Sequence, residues 1–224
     1  MHRFIRGEGY IPRPFRAGLL IALIFTVSLF TSNLFGQSQG PGIRMLDELL
    51  NNGTVTLTAA GNGDSSGFAV EGVISNTTEN RININVNIKD GIYLKNSGAG
   101  QNMVAVQVFL YDGRYYSDGS SYFIIIQPRG SISVVFNAFC ANFDLDNPSS
   151  SQSFSISSMP ANIMNIASRM GKFAVDNFDS DMDYTAAMQL ALWRVQGHTR
   201  TEIFRKFDFD DDDWDLSAKI MSYM

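Results

Sequence analysis

The chain has 224 residues, 45% of them hydrophobic and 17% charged, with a formal net charge of −5. That apolar share is enough to bury a proper core in one domain. An acidic balance with no basic stripe argues against nucleic acid and anionic membrane surfaces as partners.

Residues 1–16 carry Arg3, Arg6, Arg13 and Arg16 against a single Glu8, and residues 17–30 carry no charge. A short polar stretch then leads to Leu34-Phe35-Gly36-Gln37. This is the pattern of a secretory signal, with cleavage expected after Gly36. The alternative is an uncleaved anchor, because residues 17–35 are just long enough to span a bilayer. No cysteine follows the apolar stretch in the position a lipid-anchored lipoprotein needs. The expected location is therefore secreted or cell-surface. Residues 37–224 form a single module that touches a membrane only through its N-terminal segment, if that segment is retained. Removing residues 1–36 takes away four Arg and one Glu, so the module is more acidic than the whole chain.

Residues 44–52 read as a short helix or turn ending at Asn52-Gly53. Strands are expected over 54–58, 68–75, 82–88, 92–94, 103–111, 122–127 and 131–136. Ile82, Ile84, Val86 and Ile88 alternate with Asn83, Asn85 and Asn87, the period of a half-buried strand. Val104, Val106, Val108 and Leu110 repeat it. Gly61-Asn62-Gly63, Lys89-Asp90-Gly91, Tyr111-Asp112-Gly113 and Pro128-Arg129-Gly130 supply turn chemistry between the runs. Residues 146–158 read as a polar, Ser-rich connection.

Beyond it the period becomes helical. Pro160 stands at a first-turn position, and Ile163, Ile166, Ala167, Met170 and Phe173 follow at helical spacing. A second helix is expected over 184–196, stopping at Gly197. A third starts near Thr199, with Glu202 at capping-box spacing. A last one is capped by Asp213 or Asp215 and runs through Leu216, Ile220 and Met221. The fold class is α+β: an antiparallel β-sandwich or barrel over 54–143, then a C-terminal helical lobe over 160–222.

Cys140 is the only cysteine, so this exported chain has no internal disulfide. A lone thiol outside the cytoplasm is an oxidation liability unless it is buried, pairs between chains or does chemistry. It lies in Phe139-Cys140-Ala141-Asn142, at the end of a buried strand, and Gln189-Leu190-Ala191-Leu192-Trp193 follows on a helix. In this order of strand, aromatic-Cys, polar loop and helix with Gln-x-Ala-apolar-Trp, the chain resembles the thioester domain family of bacterial surface proteins. It departs from the family at Met188, where a Thr is usual, and at Ala141, where a larger aliphatic is usual.

The resemblance implies a covalent Cys140–Gln189 thioester that captures an amine-bearing protein or small amine once, without turnover, in adhesion. Enforced proximity and a dry site are what such a bond needs. Phe139, Asn142 and Trp193 are the expected supporting residues. Asn142, or backbone amides at the start of the Gln189 helix, can hold the oxyanion, and Trp193 lies one turn from Gln189, placed to shield the bond.

Two other readings remain open: a non-covalent binding or structural module with an inert, buried Cys140, and a cysteine amidase or transglutaminase-like enzyme. The last would have only His198 as its base once the leader is removed. The acidic run 208–215 reads as a solvated loop supplying helix caps rather than a Ca²⁺ loop, because it lacks an EF-hand's Gly and distant Glu. No cofactor or metal is expected. Asn52-Gly53-Thr54 and Asn76-Thr77-Thr78 match the glycosylation sequon.

Overall fold

A computed structural model describes residues 42–178, 180 and 182–224. The expected signal or anchor over residues 1–36 lies outside the described residues. Strands β1 (Ile43–Arg44), β2 (Val55–Gly61), β3 (Ser66–Asn76), β4 (Ile82–Asn85), β5 (Asn87–Asn96), β6 (Met103–Leu110), β7 (Tyr116–Ser117), β8 (Tyr122–Ile126), β9 (Ser131–Cys140) and β10 (Ser153–Ser157) come first, with helix α1 (Leu46–Asn51) after β1. Helices α2 (Ala161–Asp176), α3 (Thr185–Arg194), α4 (Arg200–Lys206) and α5 (Asp211–Met221) follow. The protein is α+β, built on antiparallel sheet.

Six strands close into a barrel in the order β10-β2-β3-β9-β6-β5, and a four-stranded sheet has the order β1-β4-β8-β7. Closure depends on β10, which pairs antiparallel with β2 on one side and β5 on the other. This strand falls inside the stretch read as a Ser-rich connection, and its Phe154 is buried. The single strand expected over 82–88 is instead divided: β4 pairs with β8 in the small sheet, and β5 joins the barrel. Lys89-Asp90-Gly91 is not a turn between strands but an irregularity within β5. The register against β6 jumps between Asn87 and Ile92, and Gly91 takes a φ of 71° that other residues rarely adopt.

Alternation along β9 splits its side chains between two cores. Val134, Phe136, Ala138 and Cys140 point into the barrel with Met103, Ala105 and Val108 of β6 and Val70 and Ile74 of β3. Phe139 lies on the other face, with Val104 and Val106, under α2 and α3. Helix α3 is buried at every residue from Ala187 to Trp193. Its Leu190 and Trp193 join the barrel core, while Met188, Ala191 and Leu192 pack toward α2. A helix apolar all round is a helix enclosed on all sides, and this one is wedged between barrel and helices.

Candidate functional site

Cys140 is the last residue of β9 and pairs with Met103, the first residue of β6. Its side chain is fully buried, and Sγ lies 3.6 Å from the Met103 Sδ. With nothing charged to stabilise a thiolate, burial pushes the Cys140 thiol up to about 12. At neutral pH the unmodified side chain is therefore a neutral thiol.

Gln189 comes from α3 and is 1% exposed. A buried carboxamide must find partners for both ends, and here both are on one residue. The Cys140 backbone N–H donates to Gln189 Oε1 at 2.8 Å, and Gln189 Nε2 donates to the Cys140 carbonyl at 2.9 Å. The same N–H is shared with the Ser65 carbonyl at 3.1 Å. The carboxamide thus docks on the end of β9 as a short strand would. One helical turn on, the Trp193 indole N–H donates to the same Cys140 carbonyl at 3.0 Å. The expected shared face of Gln189 and Trp193 is realised as a shared acceptor.

Asn142 is held differently from the role expected for it. Its Oδ1 accepts from the Asn102 backbone N–H at 2.9 Å, and the Asn102 carbonyl accepts from the Ala141 N–H at 2.8 Å. These bonds pin the chain just after Cys140 to the loop before β6. The donor that meets the Gln189 oxygen is the Cys140 amide itself. Phe139 faces the helices and anchors the end of β9 from behind.

Outside Trp193 lies an aromatic cover that the sequence reading did not name. Phe143 meets the Trp193 ring edge-on at 5.1 Å, Phe207 stacks on it at 4.7 Å, and Phe209 lies 6.2 Å away. His198 stacks on Phe143 at 4.1 Å between centroids. Lys206 Nζ donates to the Phe143 carbonyl at 2.8 Å. The one sequence signal for this cover is the density of aromatics after Gly197.

The remaining candidates separate from this site. The acidic run caps a helix: Asp210 accepts from the Asp213 N–H in a reciprocal capping box, so the cap is Asp210 and not Asp213 or Asp215. Among the described residues, no group of three or more His, Cys, Asp or Glu is placed to hold a metal ion. The Asn76 sequon is buried, its Nδ2 donating to the Asn80 and Gln127 carbonyls. Asn52 is exposed and accepts from the Thr54 N–H. Comparison with protein-family models, curated proteins and solved structures found no match.

Proposed function

We propose that Cys140 and Gln189 form an internal thioester and that the protein uses it to capture a primary amine covalently, once per molecule. The observation that carries this reading is the clamp of the Gln189 carboxamide on the backbone of the one residue that bears a thiol. The clamp therefore holds the carboxamide beside the residue that carries the thiol. No diffusion remains to be overcome.

In the bond-forming step sulfur adds to the Gln189 side-chain carbon, the carbon–nitrogen bond breaks, and the nitrogen leaves as ammonia with the thiol's proton. The Cys140 N–H, 2.8 Å from Oε1, meets the negative charge that develops there. When ammonia leaves, the Cys140 carbonyl loses one donor and keeps Trp193. An incoming amine then forms an amide at Gln189, its proton passes to sulfur, and the Cys140 thiol is freed. Burial of both residues keeps water from competing.

In this reading the barrel carries the thiol, and α2–α5 act as one helical lobe that carries the acyl group. The leader delivers the module to the cell exterior, where its partner is an amine-bearing protein or small amine in adhesion. Methylamine treatment tests it: Gln189 gains the amine, and one thiol becomes titratable at Cys140 in the folded protein. A second reading rests on the contact of Sγ with Met103 Sδ and on the neutral thiol, which together describe an inert core cysteine in a non-covalent binding module. A thiol that titrates fully in the unfolded protein before any amine is added supports that second reading and ends the first.

A further inference from the structure

The cover over Cys140 and Gln189 contains a formed ammonium site, and a residue of the chain itself fills it. Lys206 Nζ donates to the Phe143 carbonyl at 2.8 Å, lies 3.3 Å from Asp144 Oδ1, and sits 4.7 Å from the Phe143 ring centroid and 5.5 Å from that of Phe207. A carbonyl, a carboxylate and two ring faces are the groups that recognise an alkylammonium.

The site also lies on the solvent side of the aromatic cover. Exposure rises from Trp193, at 1%, through Phe143, at 8%, to the Lys206 side chain, at 41%. Phe143 and Phe207 both rest on Trp193, which is bonded to the Cys140 carbonyl. Two aromatic layers, Phe143 with Phe207 and then Trp193, lie between the ammonium and the Cys140 carbonyl. Helix α4, which carries Lys206, stays seated through buried Ile203 and through Phe207 stacked on Trp193.

We propose that the Phe143–Asp144–Phe207 site is the docking subsite for the ammonium of a lysine-type primary amine, and that Lys206 occupies it as a removable stand-in. This rests on the capture reading above and assigns its substrate class to named residues. An arriving lysine takes the place of Lys206. Beyond the rings the environment is dry, and desolvation favours the neutral amine that attacks the acyl group.

The experiment compares n-butylamine, an ammonium at neutral pH, with hydroxylamine, which is uncharged there. Intact mass first establishes the thioester. Lys206→Met should then raise the rate of n-butylamine incorporation at Gln189 about tenfold and that of hydroxylamine much less. Adding Asp144→Asn should cancel the gain for n-butylamine and leave hydroxylamine unchanged. Lys206→Arg, which keeps a cation in place, should stay near the parent rate. Equal acceleration of both amines, or of neither, overturns the proposal. If the mass shows no thioester, the capture reading fails, and the subsite is read on Cys140 itself. Lys206→Met should then speed labelling by cationic 2-aminoethyl methanethiosulfonate about tenfold over neutral methyl methanethiosulfonate. Equal labelling by the two reagents would overturn it.

Discussion

Trp193 is both the roof of the site and its second hydrogen-bond donor, and substitutions separate the two roles. Trp193→Phe keeps an aromatic ring against Phe143 and Phe207 but removes the N–H on the Cys140 carbonyl. The expected cost is about 1–3 kcal/mol, the penalty for a buried acceptor left short of a partner. Trp193→Ala also opens a cavity, and about 3–5 kcal/mol is expected. Denaturant midpoints read both values. Mass spectrometry over time reads the fraction of acylated protein, which should fall in Trp193→Phe and fall faster in Trp193→Ala as water enters. Trp193→Phe behaving like the parent would show that the N–H does nothing, and equal behaviour of the two variants would show that the ring does nothing further.

The free thiol gives a pH test at the same scale. In Gln189→Ala no thioester can form, and the Cys140 thiol sits at about 12 when folded against a model value of 9.0. The folded state therefore holds its proton more tightly than the unfolded state. The associated stability is fully present below pH 9 and is lost as pH rises from there toward 12, by up to about 1.4 kcal/mol per pH unit. Denaturant midpoints of Gln189→Ala and Gln189→Ala/Cys140→Ala should show a gap that changes above pH 9 to the disadvantage of the cysteine. A gap constant from pH 7 to 11 would mean that the thiol is not desolvated.

Between elements, the tie that sets α5 on α3 is Arg194. Its guanidinium donates to the Trp214 carbonyl at 2.7 Å and to Ser217 Oγ at 2.6 Å, and lies 3.7 Å from the Trp214 ring centroid. Arg194→Met keeps the stem and removes these donors and the cation over the ring. A loss of about 1–3 kcal/mol is expected, with faster amide exchange across Asp211–Met221. Unchanged exchange there would show that apolar contacts alone hold α5.

Local signals were legible in the sequence, and non-local ones were not. The Thr199–Glu202 capping box forms because both partners lie within one turn. The cap of α5 was misplaced because six Asp residues compete between 208 and 215 and only geometry selects Asp210. Strand β10 was missed because its Ser-rich sequence is made a strand by pairing with β2 and β5, far away in the chain. At the site, Cys140, Gln189 and Trp193 could be named from their residue types. The clamp of the carboxamide on the Cys140 backbone, and the meeting of Phe143 with Lys206, depend on the docking of α3 and α4 on the barrel and leave no local trace.

At the scale of the whole molecule, a closed barrel supplies a thiol at the end of one strand, and a buried helix supplies the carboxamide. Among the described residues no helix is long and apolar enough to cross a membrane. Leu190 and Trp193 join the barrel core beside Cys140, so folding itself buries the thiol and docks the Gln189 carboxamide on the Cys140 backbone. The central claim is that this enclosure forms a bond. The measurement that tests it most directly is the intact mass of the purified, unreduced protein, denatured in acid, beside Cys140→Ala and Gln189→Ala. The expected result is a parent one ammonia lighter than its sequence and two variants at full mass. A parent at full mass, with its thiol free to alkylate once unfolded, would contradict the account and leave Cys140 as a core residue.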